Sequence, residues 1–506
     1  MILTRLLLRR HRVTLGAWLL LLIGLCGGTA QAYPNTYPTE EQRHAAVVAA
    51  QHNPATTLLY GVLPGPGTPA QLFAWEAGAI AAILTAVFAV ILTVSLTRAL
   101  EEDGTLEFLR GAETPLRSAS TLLAGVSVVL GLGCGAVVSL TFGVAGAMAL
   151  GAALGLTFLL VAAVTAVIGQ VASSAGQARV LSFAVVGVAL ALRDPLPWIA
   201  PRAAIAPFTA DRWWVLAPAL LIVAVLVVAA SAIARRREFG AGLIPRHDRR
   251  DLRLRVRTPA GLAFRLGRSS LLGWTITVTA VGTLLSAMGS GAVEQSREGD
   301  IGGFLGSQFG AGDAAAAYLS FCDTIVGIAV CAYAVLSMLA ARRSESDGLT
   351  DLILTTGRRR WSPPAAQFLV TAAGSLLILL TTGALGALTT PAAISGDDIG
   401  LRAFAYAVGQ WPAAVATAGC AALLIGLVPR LSGLAWLPVA FSALMALLGK
   451  LLGVPGWLQD LGFLRHVPDF AAPSPPVGAL LLLVALGAVL SLAGLAVAER
   501  RDVIAG

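Results

Sequence analysis

Apolar residues in this chain gather into unbroken runs separated by short polar segments rich in arginine, glycine and proline. Each run is about 20 residues long, and at 1.5 Å per residue such a run as a helix matches the roughly 30 Å hydrocarbon core of a bilayer. The runs predict spans near residues 13–31, 73–96, 120–143, 146–170, 180–194 and 214–234, then 271–291, 317–341, 365–388, 403–428, 432–453 and 478–497. The fifth is the weakest, because Arg193, Asp194, Pro195 and Pro197 truncate it. A short span must be thinned around, packed inside a bundle or re-entrant. The expected fold is all-α: a polytopic membrane protein of about twelve transmembrane helices, arranged as two six-helix pseudo-repeats.

Composition excludes a water-soluble alternative. Of 506 residues, 57% are hydrophobic and 12% charged, with a mean hydropathy of +0.81, far from the half-apolar, quarter-charged average of soluble domains. Cys26, Cys134, Cys322, Cys331 and Cys420 all lie in or at the edge of apolar runs, so neither a disulfide framework nor a metal site is expected. The net charge of +8 comes from arginines clustered beside apolar runs, where lipid headgroups account for them better than nucleic acid does. Lys450 is the single lysine. With so much Ala, Gly and Leu, this bias points to a GC-rich bacterial genome.

Orientation follows from arginine placement. With the N-terminus inside, 27 of the 35 basic residues fall on the inner side, eleven of them in the segment from Arg235 to Arg268. Both termini are therefore expected in the cytoplasm of a bacterial cell membrane. The start, with Arg9 to Arg12, an apolar run and Ala30-Gln31-Ala32, also fits a secretory signal. The run exceeds the 7–15 residues or so of a usual signal core, which favours a retained first span.

Similar residues recur at matching places in the two sets of spans. Arg9, Arg12 and Trp18 answer to Arg265, Arg268 and Trp274; Arg98, Glu101, Asp103, Gly104 and Glu107 to Arg342, Glu345, Asp347, Gly348 and Asp351; Arg236, Arg237 and Glu238 to Arg500, Arg501 and Asp502. The expected organisation is a first six-span domain over 1–234, a basic cytoplasmic linker over 235–268 and a second six-span domain over 269–506.

The segment after span two begins with Glu101, Glu102, Asp103 and Gly104, continues with Leu106, Glu107, Phe108 and Leu109, and breaks at Pro115. Its counterpart after span eight has Glu345, Asp347, Gly348 and Asp351 early, Leu349, Leu352 and Ile353 as an apolar side, Gly357 as a C-cap and Pro363 and Pro364 as stops. Anions at the positive end of a short helix are favourable. A short amphipathic helix displayed between two spans is what a soluble partner needs in order to move a membrane domain; the plainer reading is a solvated loop. At the N-terminus, Ile2, Leu3, Leu6 and Leu7 fall on one side and Arg5, Arg9 and Arg12 toward another, as in an interfacial helix. Glu76 opens span two and Asp323 starts span eight at a similar depth; ionisable groups there usually face a cavity or a partner. Both are candidates for a substrate pathway, against the alternative of solvated headgroup residues. Gly131, Gly133, Gly135, Gly151 and Gly155 are spaced for close helix packing.

The acid-acid-Gly-x-x-acid hairpin between spans two and three of a six-span unit resembles that of type 2 ABC exporter permeases. The fused twelve-span form with a basic middle linker resembles the exporters of polyketide antibiotics, the tetronasin-type permeases. That resemblance implies coupling helices around Glu102 to Leu109 and Ser346 to Leu354 that dock on a soluble ABC ATPase, two copies of it, with ATP and Mg on that partner and no cofactor in this chain. The cargo would be a small amphipathic or lipophilic compound moved outward. Ser346 and Thr350 stand where the first hairpin has Glu102 and Leu106, so the two hairpins need not couple equally. No G-x-x-x-x-G-K-[ST] occurs, so ATP hydrolysis needs a separate chain; no H-E-x-x-H or G-x-S-x-G supplies another catalytic site. An ion-coupled carrier of the major facilitator type would carry a basic loop after span two, where this one is acidic. A membrane-embedded transferase would need acidic or His-rich loops at a membrane face, and none stands out.

Overall fold

A backbone in hydrocarbon has no water to bond, so each apolar run closes its own hydrogen bonds as a helix. The computed structural model describes residues 2–36, 38–41, 43–44, 47–48, 60–61, 67–102, 115–192, 196, 199–236, 256, 258–287, 289, 293, 314–346, 348–396, 398–448, 454–466 and 478–500, and among these there is no strand. Ten helical segments in them are long and apolar enough to cross a membrane. Two shorter apolar helices, Ala175–Leu190 and Leu431–Ala446, stand where the fifth and eleventh spans were expected. The chain is thus an all-α, multi-pass membrane protein. It divides into two compact units, Met1–Asp251 and Leu252–Gly506.

The first unit contains α1 (Ile2–Thr36), α2 (Pro69–Trp75), α3 (Ala77–Leu96), α4 (Arg98–Glu102), α5 (Pro115–Phe142), α6 (Val144–Val171), α7 (Ala175–Leu192), α8 (Pro201–Ile205) and α9 (Leu216–Arg236). Thr68 caps α2 through a reciprocal pair with Gln71, and the chain turns at Glu76 before α3 continues as span two. The second unit contains α10 (Pro259–Ala287), α11 (Ala314–Ser346), α12 (Leu349–Leu354), α13 (Ser362–Ala393), α14 (Ile399–Val408), α15 (Trp411–Leu427), α16 (Trp436–Leu448), α17 (Gly456–Gln459) and α18 (Gly478–Arg500). Here span ten is the broken one. It is interrupted at Gly409 and Gln410, and Pro412 sits in the first turn of α15, where a missing N–H costs nothing.

The order of helix pairings is the same within each unit. In the first, α1 packs on α5, α3 on α6, α5 on α6 and α6 on α9; in the second, α10 packs on α13, α11 on α15, α13 on α14 and α15 on α18. The tryptophan of each first span meets an aromatic ring of the next span: Trp18 stacks on Phe88 at 5.2 Å and Trp274 lies 6.2 Å from Tyr333.

Glycine sets how closely these helices approach. A Cβ on Gly151 of α6 would fall 2.2 Å from the carbonyl oxygen of Gly131 in α5, and one on Gly419 of α15 would fall 2.4 Å from that of Gly487 in α18. Backbone thus rests on backbone, the contact that substitutes for a hydrophobic drive between helices in lipid.

Two expectations change. α1 continues without a break from Ile2 through Thr36, so the basic N-terminal stretch is the opening of the first span's helix and not a separate interfacial element. Good helix formers on both sides of Arg9–Arg12, with neither Gly nor Pro before Gly16, leave nothing to end it. Leu3 and Leu7 are buried while Leu6 is exposed, because positions four apart share a face. Pro363 and Pro364 open α13 rather than stop the helix before it; α12 already ends at Leu354, with Gly357 in the left-handed region at φ 76°.

Candidate functional site

Each second span ends in an arginine and a glutamate three residues apart, which puts both on one helical face. Arg98 Nη1 lies 3.0 Å from Glu101 Oε2, with the side chains 3% and 6% exposed. Arg342 Nη1 lies 3.3 Å from Glu345 Oε2, at 18% and 9%. A carboxylate in an apolar bundle is costly alone and tolerable beside its cation. Glu101 and Glu345 are therefore buried beside their own helix's arginine, whereas Glu102 and Asp351 are exposed. Arg98 Nη2 also donates to the Ser173 carbonyl at 2.8 Å, and Glu102 Oε2 accepts from the backbone N–H of Ala175, the first residue of α7, at 3.0 Å. The end of span two is thereby tied to the start of α7, with an anion at that helix's positive end. Asp103, Gly104, Leu106, Glu107, Phe108 and Leu109 lie outside the described residues.

The second hairpin is described except at Asp347. Gly348, left-handed at φ 73°, opens α12. On this helix Thr350 is buried, Ile353 is half-buried and Asp351 is exposed; Leu349 is 45% exposed and Leu352 65%. Thr350 turns inward while Leu349, Asp351 and Leu352 turn outward, which leaves two leucines displayed beside a carboxylate.

The two intramembrane acids differ in kind. Glu76, at the turn between α2 and α3, is half-buried and accepts a 2.5 Å hydrogen bond from the Tyr33 hydroxyl of α1. Asp323 is 7% exposed on α11, about 12 Å along the helix from Ala315, and has no hydrogen-bond or ion-pair partner among the described residues. It lines a small cavity with Gly282 and Ser286 of α10, Thr382 and Gly386 of α13 and Ala403 and Ala407 of α14. Arg5, Arg9 and Arg12 are exposed along α1. Among the described residues no group of His, Cys, Asp and Glu is placed to hold a metal ion.

Sequence reasoning used Arg98 and Arg342 only as marks of a repeat and overlooked them as partners. The signal was present, since i,i+3 Arg–Glu steps are legible on any helix. Gln410 was also missed. It is 1% exposed, its Oε1 has no hydrogen-bond partner, and Gly-Gln before Trp-Pro inside an apolar run is a readable sign of a broken span.

These helices and their lipid-length apolar surfaces define a multi-pass membrane protein. Residues 256–497 match the family described as multidrug efflux system permease Rv1217c, C-terminal domain. Over 523 aligned positions the chain is 31% identical to the multidrug efflux system permease protein Rv1217c of Mycobacterium tuberculosis (strain ATCC 25618 / H37Rv), covering 99% of this chain and 94% of that protein. The chain belongs to this family of efflux system permeases.

Proposed function

We propose that this protein is the membrane subunit of an ATP-driven exporter of drug-like compounds, amphipathic or lipophilic, polyketide antibiotics among them. In this reading the chain is a fused pair of six-span domains, 1–234 and 269–506, joined by the basic linker 235–268, with both termini in the cytoplasm. A separate soluble ABC ATPase, present in two copies, holds ATP and Mg and docks on the hairpins after spans two and eight. The observation that carries the proposal is α12. Leu349 and Leu352 stand outward beside Asp351, on a short helix opened by left-handed Gly348 and followed by left-handed Gly357. A rigid, partly apolar knob of this kind transmits force from a soluble partner, whereas a solvated loop has no use for exposed leucines.

The efflux-system names of its relatives support the cargo class, and the absence of a P-loop supports the separate ATPase. Leu352→Asp tests the docking. It should cut co-purification of the partner ATPase, co-expressed with this chain, on the order of tenfold, as loss of an interface anchor does, while leaving the thermal stability of the chain unchanged. Undiminished co-purification would overturn α12 as the docking element.

A further inference from the structure

We infer that the cavity at Asp323, in the second unit, is a recognition site for a single ammonium-type cation. Three observations lead there. The Asp323 carboxylate is buried among spans and unpartnered, an arrangement that costs several kcal/mol unless something positive completes it. Two hydroxyls around it have spent their protons: Ser286 Oγ donates to the Gly282 carbonyl at 3.0 Å and Thr382 Oγ1 to that of Ile378 at 2.8 Å while also meeting Thr279 Oγ1 at 3.1 Å, so each offers lone pairs, and not a proton, to a further neighbour. One turn along α11, Gly327 faces Gln410, whose buried Oε1 has no partner.

Ala403, Ala407 and Gln410 follow one face of the broken span ten, and Asp323, Val326 and Gly327 follow the facing side of α11. The site therefore sits where a discontinuous helix meets a carboxylate, a common construction for charged ligands in membranes. A carboxylate beside hydroxyl oxygens that can only accept favours a cation that can itself donate. Between Gly282, Gly386, Ala403 and Ala407 the cavity has about 10 Å³, space for one water-sized group such as a terminal ammonium and not for a whole drug. Among the described residues of the first unit, Glu76 offers no equivalent site, because it already takes the Tyr33 hydroxyl and the core near it is aromatic, with Phe73, Phe142 and Phe208 in contact. The inference rests on the exporter reading only for what bears the amine.

Cys322 lines the same cavity and serves as a native reporter. The purified full-length chain is reacted with aminoethyl methanethiosulfonate or the neutral methyl reagent, and modification of each cysteine is followed by peptide mass spectrometry. Cys322 should prefer the cationic reagent on the order of tenfold, the scale of a nearby unpaired charge at low dielectric. Cys331 and Cys420 should show no such preference. Asp323→Asn should abolish it and Asp323→Glu retain it, each at normal expression. Methylammonium chloride should protect Cys322 where equal sodium chloride does not. No labelling of Cys322 by either reagent, equal labelling by both, or a preference that survives Asp323→Asn would overturn the inference. Protection by sodium and not by methylammonium would overturn the ammonium assignment in favour of an alkali-metal ion. None of these readings involves ATP or transport, so a failure of the exporter proposal would be distinguishable from a failure here.

Discussion

Replacing Glu101 with glutamine removes a buried charge while keeping the side chain's shape, and the neighbouring geometry fixes what that should cost. At 3.0 Å, a pair at an effective dielectric near 20 attracts by about 5.5 kcal/mol, before the cost of desolvating both groups is subtracted. Removing one partner of a buried pair typically costs about 3–5 kcal/mol. Arg98 keeps its bond to the Ser173 carbonyl at 2.8 Å, which lowers the expected loss to roughly 2–4 kcal/mol. The matched pair in the second unit is longer, at 3.3 Å, and its arginine reaches water. At an intermediate dielectric near 40 the attraction falls to about 2.5 kcal/mol, so Glu345→Gln should cost about 1–2 kcal/mol. Thermal unfolding in detergent, followed by loss of the monodisperse peak, should therefore show a midpoint lowered by roughly 5–10 °C for Glu101→Gln and by only a few degrees for Glu345→Gln. Arg98→Met combined with Glu101→Met should recover part of the loss, since an apolar pair leaves no charge unpaired. Equal effects of the two single variants, or no recovery in the double, would refute the argument from burial.

Three further outcomes follow. Gly419→Ala should destabilise by about 1–3 kcal/mol because its Cβ would press on the Gly487 carbonyl, whereas Gly273→Ala, with nothing within 4 Å, should be neutral or stabilising; the same detergent melts separate them. Tyr33→Phe should cost about 1–3 kcal/mol by orphaning Glu76 and leave relative resistance to cationic and neutral compounds unchanged, as measured by growth inhibition. A cysteine replacing Arg249 in the basic linker should resist an impermeant maleimide in intact cells and react after permeabilisation; ready labelling of intact cells would reverse the orientation.

Much of the architecture was legible because lipid imposes a single rule on the backbone. Among the described residues ten of the runs became helices of spanning length, and the fifth and eleventh are described over shorter apolar helices, Ala175–Leu190 and Leu431–Ala446. Breaks within a span were less legible. Glu76 and Gly409–Gln410 lie in runs whose hydropathy barely dips, because a helix can turn for one residue without losing its apolar partners. The site was half readable: residue types marked the hairpins, yet which acid faces inward depends on its partner. Glu101 finds Arg98 and turns in, while Asp323 finds no cation and is left facing a cavity. Hydropathy weights both carboxylates alike and cannot tell them apart.

The central claim is that this chain moves cargo only by coupling to a separate ATPase. The direct measurement is ATP-driven uptake of a fluorescent amphipathic dye into inverted proteoliposomes holding this chain alone, the chain with its co-purified ATPase, or the chain with an ATPase whose P-loop lysine is replaced. Uptake and ATP hydrolysis should appear together in the second preparation and in neither of the others. Hydrolysis by the lone chain, or uptake driven by an ion gradient without the ATPase, would contradict the account.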